Sequence, residues 1–91
     1  MSCFLLMYWV YVLYSTKFEK IYIGYTSDLA QRILSHNSLA KKGYTIKYRP
    51  WELIHTEVYQ TKKDALLRER QLKFAAGRKF IWGMIEKSSG G

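Results

Sequence analysis

The segment YWVYVLYSTKFEKIYIGYT, residues 8–26, decides the fold of this chain. Residues 8–15 and 21–26 are rich in β-branched and aromatic side chains, a composition typical of β-strands. Apolar residues occur at both odd and even positions of these segments. Because successive side chains of a strand point to opposite faces, both faces of the sheet are expected to be covered. Residues 16–19 carry two charges between the two strands, which predicts a hairpin.

The register of this hairpin determines which side chains are neighbours. If Ser15 pairs with Lys20, then Tyr11 lies opposite Gly24 on the adjacent strand. Tyr11 and Tyr22 are then diagonal neighbours on one face of the sheet. Gly24 has no side chain, so it leaves space beside the Tyr11 ring.

A helix, a loop and a third strand are predicted to follow the hairpin. The helix covers residues 28–36, because Thr26 or Ser27 can cap its first turn. Residues 37–50 form a polar, basic loop. Residues 51–59 (WELIHTEVY) form a strand, and the proline before them suits the start of a strand.

Two more helices are predicted in the last third of the chain. Thr61 caps the first of them, in a pattern close to a capping box, and this helix ends near Phe74. Gly77 interrupts the helical pattern, and residues 78–87 form a short last helix. Residues 88–91, which are serine and glycine, are predicted to be a flexible tail.

Length and composition indicate a single domain over residues 1–87, and the strands and helices predicted above make it an α+β domain. A chain of 91 residues has no room for a second core, and its apolar share of 48% is enough for a packed interior. The chain has 15 basic and 7 acidic residues, a formal charge of +8. This charge favours an anionic partner, with nucleic acid the first candidate. A basic protein with no such partner is the alternative.

The cysteine content and the apolar N-terminal segment favour a cytoplasmic protein that does not enter a membrane. Cys3 is the only cysteine, so no disulfide can form within the chain, which fits a reducing compartment. Residues 1–14 are almost wholly apolar, but no basic residue precedes them and no small-residue cleavage site follows. They are also shorter than the roughly 20 residues of a spanning helix. A buried strand is therefore the better interpretation.

Glu69 is an acidic residue on an apolar helix face. Helical geometry places it on one stripe with Ala65, Leu66 and Leu72. A carboxylate among core residues must be neutralised, paired or bound to a metal. Glu69 is therefore predicted either to pair with Arg32 or another cation, or to be a metal ligand.

Arg32 and His36 are four residues apart and flank the apolar stripe of the first helix. The planar guanidinium of Arg32 suits a phosphate or its transition state, although a solvated arginine at the core edge is the simpler interpretation. His36 can act as a base or donate to a phosphate. A histidine that only caps the end of a helix is the alternative.

Tyrosines and surface cations each have a structural and a functional interpretation. Tyr11 and Tyr22 can be core aromatics. Basic residues next to aromatic side chains can line a nucleic-acid groove, whereas a charge run by itself is usually solvated. Seven basic residues are the candidates for such a groove: Lys41, Lys42, Lys47, Arg49, Lys73, Arg78 and Lys79.

Taken together, these residues resemble the GIY-YIG nuclease family. The first triplet reads Trp9-Val10-Tyr11, the second reads Tyr22-Ile23-Gly24, and their tyrosines are eleven residues apart. Arg32, His36 and Glu69 follow in the order of the family. The likeness is closest to the compact stand-alone bacterial members and is similar to the nuclease domain of the excision-repair incision subunit.

The resemblance covers roughly residues 8–86 and implies both a fold and an activity. The fold is a three-stranded antiparallel sheet flanked by helices. The activity is hydrolysis of a nucleic-acid phosphodiester with one divalent cation, Mg²⁺ or Mn²⁺. The chain departs from the family pattern in the first triplet, where Trp9 and Val10 replace a glycine and an isoleucine. The segment after Glu69 also has no asparagine, which many larger members carry there.

The resemblance also implies a role for each site residue. Glu69 would hold the cation, Arg32 would stabilise charge on the phosphorus, and Tyr22 would position the water or the phosphate. Either Tyr11 or His36 would deprotonate the attacking water. The ordinary pKa of a phenol, about 10, makes Tyr11 a poor base without nearby positive charge, and an imidazole suits the task better.

The chain is therefore predicted to be a magnesium-dependent endonuclease that cleaves DNA in repair or recombination. Single-stranded, branched and duplex DNA, and RNA, all remain open as substrates, and so does the oligomeric state. A nucleic-acid-binding module with a decayed site is the alternative, and the altered triplet and missing asparagine would be signs of the decay. A small interaction protein with an aromatic surface is a third interpretation.

Overall fold

A computed structural model of the protein describes residues 7–39 and 44–89 and shows an antiparallel three-stranded sheet with helices. The strands are β1 (Tyr8–Ser15), β2 (Lys20–Thr26) and β3 (Glu52–Tyr59), in the spatial order β2-β1-β3. The central strand is thus the first in sequence. The α+β class and the three-stranded antiparallel sheet predicted from the sequence are confirmed.

The predicted hairpin register is also confirmed. Ser15 pairs with Lys20, and Tyr11 lies opposite Gly24. Residues 16–19 make the turn, in which Glu19 adopts the left-handed conformation with φ of 54°, uncommon for a residue other than glycine. The pairing of Ser15 with Lys20 across this turn therefore fixes which side chains of the two strands face each other.

Strand β1 is buried on both faces, because its alternate side chains enter two different hydrophobic clusters. Val10 and Val12 point to one face and pack with Ala65, Leu72 and other apolar residues of the C-terminal helices. On the opposite face, side chains from several elements form the second cluster: Tyr11, Leu13, Trp51, Tyr22, Leu29, Ile33 and Tyr48. The candidate tyrosines belong to this second face.

Within residues 7–39 and 44–89, the α-helices are α1 (Leu29–Leu34), α2 (Tyr44–Lys47), α3 (Lys62–Lys73) and α4 (Ala75–Ser89). A π-helical turn, Ser35–Leu39, continues directly from α1. The segment predicted as a loop over residues 37–50 therefore contains the end of this turn and α2. Among the described residues, no helix combines the length and the apolar character needed to cross a membrane.

Helix caps were predicted correctly for α3 but not for α1. The Thr61 hydroxyl accepts a hydrogen bond from the Asp64 amide at 3.1 Å, as expected. At α1 the cap is Asp28, whose carboxylate accepts from the Gln31 amide at 3.2 Å. Thr26 instead accepts from the Asp28 amide at 3.0 Å, so its hydroxyl orients the capping residue and does not cap the helix itself.

The predicted interruption at Gly77, with a last helix that begins at residue 78, is wrong. Helix α3 ends because Phe74 is extended (φ −78°, ψ 168°), and α4 begins at once and includes Gly77. A Cβ at position 77 would overlap the Gln71 carbonyl oxygen and the Leu72 Cα. Glycine is thus needed for the close approach of α4 to the end of α3. Helix α4 continues to Ser89, into the predicted tail, and Gly90 and Gly91 lie outside the described residues.

A partly buried carboxylate network fastens the edge strand β3 to α3. The Glu57 carboxylate accepts hydrogen bonds from Arg68 Nε at 2.8 Å and Nη2 at 3.1 Å, from His55 Nε2 at 2.7 Å, and from Tyr59 Oη at 2.5 Å. Burial by itself would raise the pKa of Glu57, but the hydrogen bonds from Arg68, His55 and Tyr59 outweigh it and hold this pKa at about 2. The network fixes the rotation of α3, on which Arg68 immediately precedes Glu69.

Two glycines of α4 provide a matched test of the helix junction. Gly77→Ala is expected to lower the free energy of unfolding by about 1–3 kcal/mol, because the new methyl group overlaps backbone atoms that cannot move independently. A Cβ added at Gly83 would have no atom within 4 Å, so Gly83→Ala should stabilise the protein by about 0.5–1 kcal/mol through helix propensity. Thermal unfolding followed by circular dichroism measures both. Changes of the same sign would contradict the close approach.

Candidate active site

Three aromatic side chains from separate elements meet on one face of the sheet. Tyr11 lies on β1, Tyr22 on β2, and His36 in the π-helical turn. The Tyr11 hydroxyl and His36 Nε2 form a hydrogen bond of 2.9 Å, and both residues are buried. The Tyr22 ring centroid lies 6.3 Å from that of Tyr11 and 4.7 Å from that of His36. The structure thus brings together three of the five residues predicted for the catalytic site in direct contact.

Gly24 is the backbone position that makes room for Tyr11. A Cβ at this position would lie 2.6 Å from the Tyr11 hydroxyl oxygen and 3.2 Å from a ring carbon of Tyr22. Any larger residue would push the phenol away from its partner. The space predicted beside Tyr11 is therefore occupied by the Tyr11 ring itself, and it is available only because residue 24 is glycine.

Hydrogen bonds to the backbone hold the π-helical turn that carries His36. Arg49 donates from Nε to the His36 carbonyl at 2.6 Å and from Nη2 to the Ser35 carbonyl at 3.2 Å. Asn37 and the Trp51 backbone exchange two hydrogen bonds, of 3.0 and 2.6 Å. His36 therefore does not simply cap a helix end, since its backbone is held by Arg49 and its ring faces Tyr11. Sequence reasoning missed this role of Arg49, which was considered only as a contact to nucleic acid.

Burial and nearby charges keep both members of the Tyr11–His36 pair neutral at pH 7. Burial raises the pKa of Tyr11 well above 10, Tyr22 and Glu69 add to this increase, and Arg32 partly opposes it. Burial also lowers the pKa of His36 below 6.5, with further lowering by Arg32 and Arg49. The phenol donates to Nε2 when the imidazole proton is on Nδ1, so the pair is arranged to pass a proton from oxygen to nitrogen.

Glu69 and Arg32 border this pair with opposite charges. The Glu69 side chain is 14% exposed, and its one ion pair among the described residues is a 3.7 Å contact with Lys73 Nζ, one turn further along α3. Arg32 is exposed on α1, and its charge lowers the pKa of both Tyr11 and His36. The pairing of Glu69 with a cation is thus observed with Lys73, and at a distance too long for a strong hydrogen bond.

The donor set near Tyr11 suits a magnesium ion held mostly by water. Within the described residues, no group of three or more histidine, cysteine, aspartate or glutamate side chains is arranged to hold a metal. A single sheltered carboxylate such as Glu69 is what Mg²⁺ commonly takes from a protein, with waters and substrate phosphate as its other ligands. Glu69 therefore fits this ion, and a closed all-protein site such as that of zinc does not arise among the residues described.

The basic residues predicted to contact nucleic acid lie on different elements. Lys47 is exposed at the end of α2, and Arg78 and Lys79 are exposed near the start of α4. Lys73 pairs with Glu69 and Arg49 binds carbonyl oxygens, so both have structural partners. Lys41 and Lys42 lie outside the described residues. A cavity of about 640 Å³ between Tyr14, Ile54 and Met84 contains none of the predicted site residues.

Removal of the Arg32 charge should shift two pKa values in the same direction. Because Arg32 lowers the pKa of both groups, Arg32→Gln is expected to raise the pKa of His36 towards 6.5 and to raise that of Tyr11 further. The His36 titration can be followed by NMR of the imidazole carbons. Arg78→Gln, which removes an exposed arginine from α4, is the control and should leave His36 unchanged. An unchanged His36 titration in Arg32→Gln would contradict the described electrostatics.

The chain is similar to a family of known proteins. The GIY-YIG catalytic domain profile matches residues 7–80. A UPF0213 protein of Staphylococcus saprophyticus is 35% identical over 66 residues, which cover 72% of this chain and 79% of the relative. A UPF0213 protein of Staphylococcus epidermidis is 42% identical over 53 residues, which cover 58% of this chain and 65% of the relative. The second match thus spans less than two thirds of that relative's length.

A solved structure shares the fold. The solution NMR structure of a UPF0213 protein from Bacillus halodurans superposes with a TM-score of 0.52 and 24% identity, over 86% of this chain and 84% of that one. This superposition supports the architecture described above. Since the domain profile covers most of the chain, including both tyrosine triplets and Glu69, this protein belongs to the GIY-YIG catalytic domain family.

Proposed function

We propose that this protein is an endonuclease that hydrolyses DNA phosphodiester bonds with the help of one divalent cation, Mg²⁺ or Mn²⁺. The observation that carries the proposal is the buried 2.9 Å hydrogen bond between Tyr11 and His36, next to the charges of Glu69 and Arg32. Family membership supports the reaction class, and the net charge of +8 favours an anionic substrate. A cytoplasmic location and a role in DNA repair or recombination are part of the proposal.

The two charged residues would act on the phosphate. Glu69 would hold the cation, which when bound polarises the phosphate and stabilises the departing oxygen. Arg32, which is exposed beside the Tyr11–His36 pair, would donate hydrogen bonds from its planar guanidinium to the phosphate oxygens as negative charge grows on them. Tyr22 contacts both Tyr11 and His36, and its hydroxyl would orient the phosphate or the attacking water.

Tyr11 and His36 would work together as the base. With its raised pKa, Tyr11 keeps its proton at neutral pH and cannot act as a phenolate. It can instead accept a proton from the attacking water while it passes its own hydroxyl proton to His36 Nε2, 2.9 Å away. The water then becomes the nucleophile, Tyr11 ends the step neutral, and His36 becomes an imidazolium. This relay makes the choice between Tyr11 and His36 unnecessary, because each performs one half of the transfer.

Loss of the charges on Glu69 and Arg32 should abolish cleavage without loss of the fold. Glu69→Gln and Arg32→Ala are each expected to lower the single-turnover rate by about 100-fold or more, as for other lost electrostatic contacts to a transition state. The measurement is Mg²⁺-dependent cleavage across single-stranded, branched and duplex DNA, and RNA. Glu86→Gln, an exposed glutamate of α4, is the matched control. Binding of DNA without cleavage by the wild type at every Mg²⁺ or Mn²⁺ concentration would overturn the proposal and leave the binding-module interpretation.

The relay predicts that Tyr11 and His36 act as one unit. Tyr11→Phe and His36→Ala should each reduce the rate by about 10²–10⁴-fold, the usual contribution of a general base. The double variant should be no slower than the worse single variant, because either change already interrupts the same proton path. Single-turnover rates of the three variants measure this. Losses that multiply in the double variant would show that the two residues act independently.

A further inference from the structure

The structure assigns a base-stacking subsite to the hairpin turn, formed by Phe18, Tyr48 and two lysines. We propose that Phe18 stacks on one unpaired base of the substrate strand, while Lys17 and Lys20 attract the phosphates beside that base. This inference rests on the proposed function, because it concerns how a strand reaches the Tyr11–His36 pair. The ligand is an exposed nucleobase with adjoining phosphates, and the residues that would bind it have no part in the proposed reaction.

Phe18 is an exposed aromatic ring without a place in the core. It lies in the turn over residues 16–19, is 40% exposed, and belongs to neither hydrophobic cluster of the described residues. Its contact with Tyr48 is T-shaped, with ring centroids 5.4 Å apart and planes at 72°. Such a contact leaves much of the ring surface in solvent, where a base can stack on it.

Two lysines place positive charge beside these rings. Lys17 Nζ lies 5.5 Å from the centroid of the Phe18 ring, and Lys20 Nζ lies 5.6 Å from that of Tyr48. Both lysines are exposed, so their long side chains can turn from the ring towards a phosphate. Aromatic surface interleaved with cations is the combination that binds single strands, since bases stack and phosphates are neutralised together.

A continuous row of aromatic rings connects Phe18 to the candidate active site. The Tyr48 ring lies 6.5 Å from Trp51, and Trp51 lies 6.3 Å from Tyr22. Tyr22 is in turn 4.7 Å from His36. Tyr22, Tyr48 and Trp51 all pack in the cluster on the tyrosine face of the sheet. A strand that follows this row would place a base on Phe18 a few nucleotides away from a phosphate at Arg32.

A purely structural role for Phe18 predicts a different result. If the ring only braces the turn against Tyr48, leucine at position 18 should serve almost as well, because it retains apolar bulk. Stacking requires a flat aromatic face, which tyrosine keeps and leucine lacks. Phe80 offers a matched comparison, since it is 47% exposed and also makes one T-shaped ring contact, with His55 at 5.8 Å. The contact between Phe80 and His55 lies on the face of the sheet away from Tyr11. His55 pairs with Val12, whose side chain packs in the cluster on that face.

The test is the affinity of Phe18 variants for a short single-stranded oligodeoxynucleotide that contains 2-aminopurine. Fluorescence anisotropy gives the affinity, and quenching of the 2-aminopurine emission reports stacking directly. Phe18→Leu should weaken binding by about 5- to 100-fold, the range for the loss of one stacked base, and should relieve the quenching. Phe18→Tyr and Phe80→Leu should bind like the wild type. The double variant Lys17→Gln/Lys20→Gln should weaken binding and reduce its dependence on salt.

Wild-type affinity and quenching in Phe18→Leu would overturn the subsite, as would equal losses in Phe18→Leu and Phe80→Leu. A loss of affinity in Phe18→Tyr as large as that in Phe18→Leu would also overturn the subsite, because tyrosine retains the aromatic face on which a base would stack. All binding is measured without a divalent cation in the Glu69→Gln background. The result therefore does not depend on cleavage. If the protein binds through Phe18 but never cleaves, the nuclease proposal is refuted and the stacking subsite is retained.

Discussion

Burial of strand β1 on both faces is the constraint on which the rest of the structure depends. Val10 and Val12 are fully buried against the C-terminal helices, while Tyr11 and Leu13 are buried on the opposite side. A central strand of this kind cannot slip by one residue without exchanging the two sets. The packing of apolar neighbours therefore fixes the strand that carries Tyr11, and the hydrogen bond to His36 fixes its hydroxyl.

Local patterns predicted those parts of the fold that local chemistry determines. The turn over residues 16–19 set the hairpin register, and the Thr61 hydroxyl capped α3 as its sequence indicates. The prediction failed at Gly77, where a glycine serves a contact between two helices that are adjacent in sequence. Glycine breaks helices by propensity, but it is retained within them when another backbone approaches closely. A single sequence does not distinguish these two uses.

The candidate site also has parts that the sequence predicted and parts that it did not. The spacing of the tyrosine triplets and the position of Glu69 on an apolar stripe singled out the residues around Tyr11, and which of them act in the reaction stays a prediction. The hydrogen bond between Tyr11 and His36 was not predictable, because it depends on the π-helical turn that rotates His36 inwards. Arg49 illustrates the same limit, since its partners are carbonyl oxygens thirteen and fourteen residues earlier in the chain.

The contact between Gly24 and Tyr11 also bears on how the motif can vary. With 2.6 Å between the Tyr11 oxygen and a Cβ at position 24, the two positions share one small volume. An alanine at position 24 would displace the Tyr11 ring from His36, and a shorter side chain at position 11, which would relieve the overlap, would lose the phenol. The first and second triplets are thus not two independent signatures. They meet in one steric fit between Tyr11 and Gly24, while Trp9 and Val10 lie outside that contact and differ from the family pattern.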